Sequence, residues 1–257
     1  SMEMSNVSNT GEIISDIRTA NALAEDHTAI GGMIGSGTDD DKISNAYNAG
    51  NITAYSDGGR PYISLGGIVG AFGYEDSLGS SITSAYNTGN LSGTIGKSGS
   101  DNAISGLSIG GIAGNTVAGS LERIYNTGDL RGSVQSGTEL FMGGIVGSNT
   151  YFVGGGGSIQ LAYNTGNILA QAELHKVMTD DEYEASDLSG ACIGGISGYS
   201  GEGGMIQNVY NAGNIRLELT YSGSADRLLT GIGGISGLNG GGISNVYNTG
   251  SVQATVV

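Results

Sequence analysis

A chain of 257 residues with 50 glycines, one proline, one cysteine and no tryptophan is not collagen, which needs glycine at every third position and abundant proline. With 38% hydrophobic and only 13% charged residues, it is too apolar and too weakly charged for a solvated disordered tail, so it is expected to fold. Nine Lys and Arg against 24 Asp and Glu leave a net charge of −15, which opposes nucleic-acid phosphates and anionic membrane surfaces and excludes those partners.

The first residues lack a basic and then apolar leader, and no run of about 18 apolar residues follows, so neither a signal peptide nor a membrane span is expected. Residues 1–30 read as a partial repeat built on Ser8-Asn9-Thr10-Gly11. Ile13, Ile14 and Ile17 are placed to cap the strand edges that a first coil would leave open. From residue 31 two motifs alternate strictly. Gly-Gly-apolar-x-Gly begins at Gly31, Gly66, Gly110, Gly143, Gly194 and Gly233, and Tyr-Asn-Ala/Thr-Gly at Tyr47, Tyr86, Tyr125, Tyr163, Tyr210 and Tyr247. Successive tyrosines lie 39, 39, 38, 47 and 37 residues apart. The repeat must therefore be read before any domain.

Four residues before each Tyr stands Ile43, Ile82, Leu121, Ile159, Ile206 or Ile243, and five after it Ile52, Leu91, Leu130, Ile168, Ile215 or Val252. After the second column a mostly polar and then a small or apolar position follow, which is the alternation of a strand with one buried face. A third apolar column, Met33, Ile68, Ile112, Ile145, Ile196 and Ile235, follows the paired glycines. About three short strands per unit of about 39 residues predict an all-β parallel β-solenoid (β-helix) of six to seven coils, on the order of 30 Å long at the strand spacing. A six-bladed propeller needs four strands per blade and a closed ring, which fits less well.

Asn-x-Gly is a turn signal in which glycine accepts positive φ. When such turns stack, Asn48, Asn87, Asn126, Asn164, Asn211 and Asn248 are positioned to bond to one another, with Tyr47, Tyr86, Tyr125, Tyr163, Tyr210 and Tyr247 stacked beside them as a structural ladder. Residues 169–191 are the longest insertion. Within it Ala170–Lys176 and Asp180–Glu184 are helix-compatible and predict a protruding loop or short helix. The last unit stops at Val257 just after its third strand with nothing resembling a cap, so the natural chain is expected to continue as a monomeric segment of something longer.

Gly-Gly-Ile-Val-Gly at 66–70 and 143–147, with its Met-Ile, Ile-Ala and Ile-Ser variants, resembles the GLUG motif found in arrays in bacterial surface adhesins and in the non-catalytic part of immunoglobulin-A-specific metallopeptidases. The resemblance covers residues 31–257. It departs from the motif in having Ile or Met in place of Leu, and Ala113, Ser197 and Ser236 where an apolar residue is usual. It implies a segment of a large bacterial surface or secreted protein, extracellular, and implies no activity.

Chemistry is sparse. His27 and His175 are the only histidines, and neither lies in the His-Glu-x-x-His of a zinc peptidase. The Gly-rich runs lack the Gly-Lys-Ser/Thr of a phosphate loop. Cys192, alone and in an apolar run, reads as a buried inert thiol. No catalytic residue is assigned and no cofactor is expected beyond Ca²⁺, for which Asp39, Asp40, Asp41, Asp180 and Asp181 are the candidate ligands; without EF-hand spacing, solvated loop charge is the default reading. Phe72, Tyr74, Tyr151, Phe152 and Tyr199 follow the paired-glycine motif at equivalent places on successive coils and vary between units. They are the candidate contacts for a host glycan or surface protein. The expected function is a non-catalytic adhesin stalk with a binding surface; the alternative is the accessory region of a secreted peptidase or of a carbohydrate-active β-helix.

Overall fold

In the computed structural model, residues 1–18, 25–38, 40–58, 60–73, 79–96, 105–117, 119–149, 157–175, 190–222 and 229–257 are described. They form a parallel β-solenoid whose strands stack in four sheets. The second coil shows the course of the chain: Lys42–Asn48 belongs to sheet A, Ile52–Asp57 to sheet B, Arg60–Gly66 to sheet C and Val69–Phe72 to sheet D. The first coil repeats it with Glu3–Asn9, Ile13–Arg18, Glu25–Gly31 and Ile34–Gly37. The seventh contributes Gly242–Asn248 to sheet A and Val252–Val256 to sheet B.

Register follows the sequence columns. Tyr47, Tyr86, Tyr125, Tyr163, Tyr210 and Tyr247 are successive Cα partners in sheet A, and Ile52, Leu91, Leu130, Ile168, Ile215 and Val252 in sheet B. The three apolar segments expected per unit are present. The third is folded at its paired glycines, so that it supplies both a C and a D strand.

Two cores result. One lies between sheets B and C and contains Ile52, Ile63, Leu65, Leu107, Leu140, Ile193 and Leu217. The other joins sheets A and D and contains Ile43, Ala46, Ile68, Val69, Phe72, Ile124 and Ile145. Between the cores sheets C and D lie back to back, almost backbone on backbone. A Cβ on Gly114 of sheet D would meet the Leu65 nitrogen, with the Gly70 oxygen 2.7 Å away. Each unit therefore needs glycine at this place to let the two sheets close.

Several expectations change. Ala170–His175 is strand, part of Ile168–His175 in sheet B, because Ala170, Ala172 and Leu174 alternate into the core and pair with sheet neighbours on both sides; that local pattern outweighs helix propensity. Residues 176–189, including Asp180–Glu184, lie outside the described residues. Ile13, Ile14 and Ile17 form no cap. They sit in the first strand of sheet B, paired with Ile52, Thr53 and Ser56, and Ile14 points outward at 70% exposure.

Candidate functional site

The corner between sheets A and B is built by the Tyr-Asn-x-Gly motif. Asn48 turns inward there, and its Nδ2 donates both to Gly50 O (2.9 Å) and to Asn87 Oδ1 (2.7 Å). The pattern continues from Asn87 to Asn126 (2.7 Å), Asn126 to Asn164 (2.8 Å), Asn164 to Asn211 (2.8 Å) and Asn211 to Asn248 (2.7 Å), and Asn9 begins it (2.8 Å to Asn48). Against each amide lies the second glycine of the paired-glycine motif. A Cβ on Gly67 would stand 2.6 Å from Asn87 Cγ. This contact is why the two motifs alternate one for one.

The motif's own glycine serves a purpose other than the expected one. Among the described residues positive φ in glycine occurs at Gly58, Gly73 and Gly203, not in the Asn-x-Gly turns. Gly50 is required because a side chain would run into the Gly11 carbonyl of the coil before. Positive φ falls instead two residues before each repeat tyrosine and, in the first coil, before Ser8, at Asn6, Asn45, Ser84, Arg123, Leu161, Asn208 and Asn245, with φ of 55°, 50°, 53°, 55°, 52°, 54° and 51°. These residues drop out of the ladder of sheet A, whose register passes from Ser44 to Ala46 between neighbours. The result is a stacked column of bulges.

Outside the corner the tyrosines form a continuous stack, with ring centroids 4.4, 4.8, 4.8, 5.1 and 5.2 Å apart from Tyr47 to Tyr247. Beyond the first pair, tilted by 29°, the rings lie within 9° of parallel. Burial, and secondarily the neighbouring phenols, push the Tyr125 and Tyr163 hydroxyls above their ordinary pKa. Between the stack and the bulge column runs a shallow groove of about 380 Å³ lined by Asn45, Tyr47, Ser84, Tyr86, Arg123 and Tyr125. The sequence carried a signal for it. Ile43 and Ala46 both point inward although they are three apart, and that breaks the period of two a regular strand requires.

Of the other anticipated site residues, the described ones, Phe72, Tyr199, Asp40 and Asp41, are not gathered into a site. Phe72, anticipated as an exposed contact, is 1% exposed and fills the second core, over Gly37 and beside Gly119. Tyr199 is half-buried and packs on Phe141 with ring centroids 5.8 Å apart. Tyr74, Tyr151 and Phe152, like Asp39, Asp180 and Asp181, lie outside the described residues. Asp40 is exposed. Asp41 is buried, and its carboxylate accepts from the backbone nitrogens of Met2 and Thr38. Among the described residues no group of three or more His, Cys, Asp or Glu is placed to hold a metal. Burial pushes the Cys192 thiol up to about 12, well away from a reactive thiolate.

A second groove, about 560 Å³, lies on the outer face of sheet B and includes Gln171, Arg216, Glu218 and Thr220. Three of its polar groups satisfy each other: Gln171 Nε2 donates to Glu218 Oε2 (2.7 Å), and Arg216 pairs with the same carboxylate. Together these hold Glu218 below the usual carboxylate range.

No protein-family model, curated protein or solved structure matches the chain.

Proposed function

We propose that this chain is a non-catalytic segment of a bacterial cell-surface adhesin, extracellular, with GLUG-type repeats that act as a rigid stalk and present a binding surface to a host glycan or surface protein. The observation that carries the reading is the unbroken amide ladder from Asn9 to Asn248. It joins all seven coils through mutually satisfied hydrogen bonds, buried from Asn48 to Asn211 and half-buried at the two end rungs, which makes local opening costly at the inner coils. The 47-residue spacing between Tyr163 and Tyr210 leaves the register of all four sheets intact, as a scaffold that tolerates loop variation requires. The placement of the described thiol and imidazoles is compatible with it: Cys192 is buried, and His27 and His175 lie in different sheets of different coils.

Two measurements test it. Hydrogen exchange should find the sheet amides of the middle coils opening only with global unfolding, and fast exchange there would remove the stalk. An array of host glycans and surface proteins, probed with the chain, should give at least one specific ligand; silence across the array would remove the binding surface.

A further inference from the structure

The bulge column beside the tyrosine stack is an anomaly for this chain. Left-handed backbone brings the Cβ of an L-residue against its own carbonyl and is strained, whereas glycine adopts it freely. A protein with 50 glycines, placed wherever the backbone crowds, has none at the seven bulge positions, where Asn, Asn, Ser, Arg, Leu, Asn and Asn stand. Asn tolerates the conformation; Ser, Arg and Leu gain nothing from it. Side chains are kept at this column although the backbone alone would favour their removal.

Asn45, Ser84 and Arg123 of this column form one wall of the groove, facing the tyrosine rims. Asn45 Nδ2 donates to Asn6 Oδ1 (3.4 Å) and Asn245 Nδ2 to Asn208 Oδ1 (3.2 Å), so the column is amide at both ends, with Ser84, Arg123 and the exposed Leu161 between them. The opposite wall is a row of ring edges and phenolic hydroxyls, because the ring faces are covered by their neighbours in the stack. Aromatic edges carry the positive end of the ring quadrupole and favour approaching oxygen atoms. Both walls repeat once per coil, and a groove with that translation suits a ligand that repeats along it.

Charge narrows the ligand further. In the three outward columns beside the groove, which begin at Ser5, Asn6 and Ser8 and continue in register through Ser244, Asn245 and Tyr247, the charged residues are Glu122 and Arg123, and these pair with each other. A chain of net charge −15 thus keeps this stripe neutral, and a charged polymer would find no counter-charge there.

We infer that the groove between the bulge column and the tyrosine stack binds a neutral, linear glycan laid along the solenoid axis, with sugar hydroxyls taken by the Asn, Ser and Arg side chains and by the tyrosine hydroxyls. The inference rests on the binding-surface reading above and gives that surface a place and a ligand class.

Titration calorimetry with cellohexaose and xylohexaose, against cellobiose for length and hexagalacturonate for charge, tests it. The neutral hexasaccharides should bind at least tenfold tighter than cellobiose, and hexagalacturonate should bind more weakly than either. The triple variant Asn45→Gly, Ser84→Gly, Arg123→Gly should lose at least tenfold in affinity while its denaturation midpoint stays the same or rises, since glycine suits the bulge; a merely structural column would show the stability effect without the binding effect. No binding of either neutral hexasaccharide, preference for hexagalacturonate, or undiminished binding by the triple variant would each overturn the inference. If an array ligand binds parent and triple variant alike, the groove falls while the binding-surface reading stands.

Discussion

Asn126 has no exposed surface, yet each polar atom of its side chain is occupied. Its Nδ2 donates to Gly128 O (2.8 Å) and Asn164 Oδ1 (2.8 Å), and its Oδ1 accepts from Asn87 Nδ2 (2.7 Å). Asn126→Ala therefore strands a buried carbonyl and a buried amide oxygen, and about 2–4 kcal/mol of stability should be lost in chemical denaturation. Asn248→Ala, at an exposed rung, should cost roughly 1 kcal/mol or less. The asparagine and tyrosine columns were legible in the sequence because six copies isolate what every coil demands. Phe72 was not, since it occurs once and follows a glycine-rich stretch that reads as loop. Its ring occupies room left by Gly37 in the neighbouring coil, a relation visible only when coils are superposed in register. Phe72→Ala should lower stability by about 3–5 kcal/mol, as removal of a core aromatic does; a variant of parental stability would return Phe72 to the surface.

At the scale of the element, glycine separates what the sequence says from what it leaves open. The paired-glycine motif marks a corner in any reading, but a glycine required for its dihedral angles and one required for close approach are written with the same letter. The structure divides them: the contacts around Gly50, Gly67 and Gly114 are steric. The folding-back of sheet D on sheet C follows from that crowding and was not legible in a count of apolar segments. Gly114→Ala would drive a methyl group into the backbone of Leu65 and Gly70, which cannot move without opening the sheet interface, so a loss of about 3 kcal/mol or more is expected. Gly11→Ala is the control. Its nearest neighbour would be Asn9 Oδ1 at 3.6 Å, an ordinary contact, and its denaturation midpoint should correspond to a change within about 0.5 kcal/mol of the parent.

The whole molecule has a charge-dependent limit set by its tyrosines. Burial raises the hydroxyl pKa of Tyr62, Tyr125 and Tyr163, with the Glu139 carboxylate adding to the effect at Tyr62. Below about pH 10 the folded and unfolded chains both hold these protons and the contribution is fully present. Above it the unfolded chain releases them first, so stability falls as pH rises toward the folded values. Thermal midpoints should be level between about pH 8 and 9.5 and drop beyond about pH 10. Replacing the three tyrosines by Phe should flatten that drop, and an unchanged slope would place the alkaline lability elsewhere.

Because each coil contacts chiefly its neighbours, the solenoid behaves as a linear sum of coils and interfaces, and any unit of one period is dispensable in register. Deleting residues 87–125 joins Tyr86 to Asn126, which then takes the place of Asn87, since Tyr86 pairs with Tyr125 and Asn87 with Asn126 in sheet A. Sheet B then rejoins Ile52–Asp57 to Leu130–Gly137, sheet C Arg60–Gly66 to Glu139–Gly143 and sheet D Val69–Phe72 to Val146–Asn149, each through partners that now share Leu91–Ile95, Gly106–Gly110 or Ala113–Thr116. Asn48 meets Asn126 and the amide ladder closes over the gap, while Tyr62 and Glu139, whose side chains already meet across Gly106, come to stand on adjacent strands of sheet C. The shortened chain should keep its β circular-dichroism spectrum and a single cooperative transition at a lower midpoint, and scattering should show it shorter by about 4.8 Å, one strand spacing. A collapsed or multiphasic product would mean that the coils are not interchangeable and that the stack depends on long-range features particular to the third coil.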